Sequence, residues 1–174
     1  MWPSEVRKGI LIVDPVPGTR VIFSNAVDDA LELVERNDPI RFTRIKREIR
    51  TILNMPVLGG GAGYNRRYRT CTLDLRCFPI EGDRTSAISL MACSLVHEAT
   101  HGHLFTRKIL QKNSNIIRVE KLCWTEASRF ARKLGFDLAN WDPFEPPSRL
   151  PNANERLRFG VAQAKRMWKS QHPS

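Results

Sequence analysis

The sequence predicts an α+β domain. Short β-rich runs at residues 10–13, 20–23 and 67–75 lie in the first half of the chain, whereas longer stretches with apolar residues at helical spacing dominate the second. With 174 residues, 41% of them hydrophobic and 26% charged, the chain is long enough to bury a core without disulfide staples. No repeat, low-complexity tract or change of composition divides it, so one domain over residues 1–174 is expected.

In chain order, residues 10–13 and 20–23 flank Asp14-Pro15-Val16-Pro17-Gly18, which suits a turn, so a β-hairpin is expected there. Ser24 or Asn25 then caps a helix through Ala26, Ala30, Leu33 and Val34, and Asp38-Pro39 opens a second with apolar residues at Phe42, Ile45, Ile49, Ile52 and Leu53. Gly59-Gly60-Gly61-Ala62-Gly63 reads as a hairpin turn or a loop at the edge of a site. A phosphate-binding loop does not fit, because no Gly-Lys-Ser/Thr ending follows and the next element is strand-like, bounded by Pro79 and Gly82.

Thr85 or Ser86 caps a third helix whose stretch 87–105 is apolar on most faces, which places it at the centre of the domain. A fourth helix follows Asn113-Ser114-Asn115, runs over residues 116–134 and stops at Gly135. Asp142-Pro143 and Pro146-Pro147 mark an extended connection to a last basic helix at residues 154–169.

Lys and Arg number 28 against 18 Asp and Glu, a formal charge of +10 that makes nucleic acid a partner to consider. The basic residues are scattered, however, without interleaved aromatic side chains or a recognised nucleic-acid-binding motif, and they read as a solvated surface. Cys71, Cys77, Cys93 and Cys123 form no CxxC pair and suggest a reducing compartment. The start of the chain has no basic segment before a long apolar stretch, and Ile10-Leu11-Ile12-Val13 is too short to span a membrane. A cytoplasmic protein without a membrane partner is therefore expected.

The chemistry concentrates on the third helix, in His97-Glu98-Ala99-Thr100-His101. Four residues of helix turn through about 400°, so the two imidazoles share a face one turn apart while Glu98 is rotated away by about 100°. That spacing offers two ligands to one ion and leaves one carboxylate unligated. On the fourth helix, Ile116, Val119, Cys123, Ala127, Phe130, Ala131 and Leu134 form an apolar stripe that contains Glu120. A carboxylate within such a stripe needs a cation, either a basic side chain or a metal. Glu126, nearer the edge of the stripe, is the alternative ligand or a support behind the ligands. Cys93 and Cys123 point roughly along the same sides of their helices and read as buried thiols beneath the site.

Eighteen residues separate His101 from Glu120, giving HExxH-x18-E. On these four residues the chain resembles the gluzincin metallopeptidases, in which a glutamate from a downstream helix completes a zinc site, and it is also similar to small bacterial proteins that pair a HEATH-like helix with an Arg-x-Glu helix, here Arg118-Val119-Glu120. The resemblance implies a zincin-like fold, with the active-site helix on a small, mostly antiparallel sheet and further amphipathic helices around it. It implies Zn2+ held by His97, His101 and Glu120, with Glu98 as general base towards a peptide or protein substrate. An edge strand at residues 70–75 would lie beside the helix to receive that substrate.

The exopeptidase signature Gly-x-Met-Glu-Asn is absent, and no tyrosine follows Glu120 to support an oxyanion. That task would fall to Tyr64 or Tyr68, to Arg66 or Arg67, or to the metal. His103 stands where such motifs usually carry an apolar residue, and Arg107 stands where a metzincin would place its third histidine. The rival class is a non-enzymatic nucleic-acid-binding or interaction module with at most a structural metal. Glu98 separates the two, since a structural ion has no need of an unligated carboxylate.

Overall fold

The computed structural model describes residues 2–57, 61–78, 80–108, 116–136 and 138. Within them lie four α-helices and a five-stranded mixed sheet. Strands β1 (Ser4–Arg7) and β2 (Ile10–Val13) form an antiparallel hairpin. Helices α1 (Arg20–Asn37) and α2 (Pro39–Glu48) carry the chain to β3 (Thr51–Asn54), which lies parallel to β2. Then follow β4 (Ala62–Asn65), β5 (Thr70–Leu73), α3 (Arg84–Thr106) and α4 (Ile116–Lys133). The strand order is β1-β2-β3-β5-β4.

Several expectations are corrected. The first hairpin joins β1 to β2 through Lys8 (φ 49°) and Gly9 (φ 82°), the left-handed pair that a tight two-residue turn requires. Residues 20–23 are not its second strand. They open α1, because Phe23 begins the buried helical stripe continued by Ala26, Val27, Ala30, Leu31 and Val34. The Asp14 carboxylate accepts from Val16 N at 2.9 Å and Thr19 Oγ1 at 2.8 Å, turning the chain into that helix.

Asp38 and Pro39 do open α2, Asp38 accepting from Arg41 N at 3.1 Å. Yet the helix ends at Glu48, so Ile52 and Leu53 belong to β3. Asp83, rather than Thr85 or Ser86, caps α3. The sheet is not mostly antiparallel, for β2–β3 and β3–β5 are parallel pairs. Nor is the strand at residues 70–75 an edge. Its β5 core pairs with β3 on one side and with β4 on the other, and among the described residues the edge position falls to β4, which begins inside the glycine-rich stretch. Gly59, Gly60, Asn113-Ser114-Asn115, the proline-marked connection and the helix expected at 154–169 lie outside the described residues.

Helix α3 is the centre of the domain. Every residue from Ala87 to Val96 is buried, and the helix touches α1, α2, α4, β4 and β5. Gly135, in the left-handed region at φ 66°, follows the end of α4. None of the four cysteines forms a disulfide, and no described helix is long and apolar enough to cross a membrane.

Gly102 fixes how closely α3 meets its neighbours. A Cβ there would stand 2.8 Å from Tyr64 Oη and 2.8 Å from Glu48 Cβ, while Tyr64 Oη donates to the Glu48 carbonyl at 2.8 Å. Helix propensity alone would make Gly102→Ala stabilising by about 1 kcal/mol. Overpacking costs about 1–3 kcal/mol, so the expected result is a net loss of stability in denaturant unfolding. A gain would mean that Tyr64 and Glu48 move aside freely.

Candidate metal centre

His97 and His101 occupy the face of α3 that meets α4, with ring centroids 4.9 Å apart, and Glu120 reaches them from the first half of α4. The His97 and His101 Nε2 atoms are 3.1 Å apart. Glu120 Oε2 lies 3.5 Å from His97 Nε2, and Oε1 lies 3.5 Å from His101 Nε2. Tetrahedral ligands at about 2.0–2.1 Å from a zinc ion are separated by roughly 3.3–3.4 Å, so these separations match the edges of such a site. Two imidazoles and a carboxylate are also donors that suit zinc.

The surroundings hold the rings in place. Trp124 meets the His97 ring edge-on at 5.0 Å, and His97 Nδ1 is buried without a hydrogen-bond partner among the described residues. Cys123, one turn beyond Glu120, is fully buried. One ligand atom each from His97, His101 and Cys123 lies within 4.8 Å of the others, a group able to hold a metal ion.

Charge is concentrated here. Burial opposes ionisation of both His101 and Glu120, but their polar partners overcome it: hydrogen bonding from the imidazole towards Cys123 and Glu120 holds the His101 pKa well above its ordinary value, and hydrogen bonds from both imidazoles hold Glu120 far below the usual carboxylate range. Glu98 is 6% exposed. Burial raises its pKa, the two imidazoles pull it down, and Glu120 adds to the rise.

The remaining candidates stand elsewhere. Glu126 binds Arg41 and Arg44 at 3.0 and 3.2 Å and Arg129 at 2.9 Å, so guanidiniums, not imidazoles, hold it. Tyr64 spends its hydroxyl on the Glu48 carbonyl. Tyr68 is exposed beneath Arg67, and Arg66 stacks on Phe105 with its guanidinium 4.9 Å from the ring centroid. His103 receives Arg47 Nη2 at 2.7 Å and sits 3.8 Å from the buried Glu48 carboxylate. Cys93 is a buried thiol whose pKa burial pushes up to about 12. Sequence reasoning placed Cys123 as a buried thiol beneath the site, from its position three residues after Glu120, but did not count it with the two imidazoles as a possible ligand.

Comparison with models of protein families, with curated proteins and with solved structures brings out no match.

The Glu126 cluster has a pH signature. Burial tends to raise the Glu126 pKa, but the charge of Arg41 and the hydrogen bonds from Arg129 and Arg44 bring it below the ordinary value. A lowered carboxylate pKa contributes stability above its unfolded value, and that contribution disappears as pH falls through the folded value. Glu126→Gln should therefore cost about 1–2 kcal/mol at neutral pH, between the values for exposed and buried ion pairs. Below the lowered pKa the variant and wild type should unfold alike. An equal difference across the whole range would exclude the ion pairs as its source.

Proposed function

We propose that the chain is a zinc-dependent metallopeptidase of the zincin-like class, in which His97, His101 and Glu120 hold the ion and Glu98 is the general base. The observation that carries this reading is the set of 3.1, 3.5 and 3.5 Å separations among the three ligand side chains, with an unligated carboxylate buried beside them. Zinc held there would lower the pKa of a water towards about 7 and polarise a carbonyl.

Glu98 supplies the proton acceptor. A carboxylate whose pKa is raised by burial takes a proton more readily than an exposed one, and it can pass that proton on to the amine leaving group of a peptide. Glu120 stays anionic as a ligand must. The edge strand β4 lends further support. Asp74 N donates to Gly61 O at 2.9 Å, which pairs the odd-numbered residues of β4 with β5 and turns the N–H and C=O groups of Ala62 and Tyr64 towards the side that no described strand pairs. An extended peptide adds to such an edge through its main chain, beside the histidine-bearing helix.

Glu98→Gln keeps the size of the side chain and removes the base. Chelator-sensitive cleavage of a proteome-derived peptide mixture, counted as new termini by mass spectrometry, should fall by about 10² to 10⁴-fold in this variant. Its zinc content should match that of wild type. Undiminished cleavage would exclude Glu98 as the base, and absence of chelator-sensitive cuts by wild type would favour the interaction module.

A further inference from the structure

The helix that brings Glu120 to the imidazoles brings a second donor with it. Cys123 follows Glu120 by three residues and so leaves α4 on the same face, one turn further on. Its side chain is 0% exposed and packs with Leu104 and Val119. A thiol that merely fills a core would need only those neighbours. This one also places its Sγ in a group with one ligand atom from each imidazole, all within 4.8 Å of one another.

We propose that Cys123 is a fourth metal donor, so that α3 and α4 each supply two ligands and the resting site is closed by sulfur at the position hydrolysis needs. The inference rests on the metal-binding reading above. Zinc takes four donors tetrahedrally and accepts mixed nitrogen, oxygen and sulfur sets, with sulfur at about 2.3 Å and nitrogen at about 2.0–2.1 Å. Sulfur and nitrogen on one such ion are roughly 3.5 Å apart, and the sulfur already stands within 4.8 Å of a ligand atom of each imidazole.

Charge favours the same arrangement. A divalent ion facing one carboxylate ligand keeps a net positive charge in a largely buried place, and a thiolate ligand offsets it. On binding, the Cys123 S–H bond breaks, its proton passes to solvent, and the sulfur lone pair forms the bond to the metal. No oxidant or reductant takes part. Opening reverses the step: the sulfur leaves, regains a proton from solvent and frees a coordination position. The enzyme is thereby held in reserve until a substrate or a partner displaces Cys123.

Cobalt(II) bound to the full chain in place of zinc tests this without any substrate. The wild type should show a near-ultraviolet thiolate-to-cobalt charge-transfer band together with visible bands of tetrahedral cobalt. Cys123→Ser and Cys123→Ala should lose the former, keep the latter and bind cobalt about tenfold or more weakly, whereas Cys93→Ser should keep both. Zinc X-ray absorption of the wild type needs no variant and should show one sulfur neighbour at about 2.3 Å. Visible cobalt bands without charge transfer, or zinc without a sulfur neighbour, would overturn the role of Cys123 and leave the three-ligand site standing. Failure of wild type to bind either metal would overturn both.

Discussion

Polar side chains on a buried helix must find partners, and that constraint governs this protein. Helix α3 is buried on nearly every face, yet its second half carries His97, Glu98, Thr100, His101 and His103. Thr100 answers locally, donating to the Val96 carbonyl at 2.8 Å, and Ser94 does the same to Leu90 at 3.0 Å. The imidazoles of His97 and His101 meet each other at 3.1 Å and turn to neighbouring helices as well. Glu120 reaches His97 and His101 from α4 and Arg47 reaches His103 from α2, so polar groups as well as apolar contact join the neighbouring helices to α3.

Helix α4 carries two carboxylates with different tasks. Glu126 is gripped by Arg41 and Arg44 of α2, and Lys133 reaches Asp38 at the start of that same helix. These pairs set the register of α4 against the helices it packs on and so determine where Glu120 arrives, less than two helical turns before Glu126. On the far side, Tyr64 lies over Gly102 and ties β4 to the end of α2. The candidate ligands are thus fixed by contacts lying outside the ligand set.

The central helix and its histidine pair were legible because helical spacing is local: His97 and His101 must share a face wherever the helix lies. Asp38-Pro39 and Gly135 marked helix ends for equally local reasons. The sheet was harder to read. Strand β1 is Ser-Glu-Val-Arg, with too little apolar pattern to stand out, and β3 follows α2 so closely that Ile45, Ile49 and Ile52 imitate one continuous helical stripe. β4 was hidden in a glycine-rich stretch, and its pairing moved β5 from the edge to the interior. Spacing put Cys123 beneath the site, but the capture of Glu126 by arginines 82 and 85 positions earlier could not be read from it, because that depends on how helices pack.

Metal content tests the account most directly. The full chain, purified without chelator and supplied with zinc, should retain about one zinc per molecule by elemental analysis, and His97→Ala and Glu120→Ala, shown to be folded by circular dichroism, should each retain almost none. Wild type without bound zinc, or variants that hold as much as wild type, would contradict it.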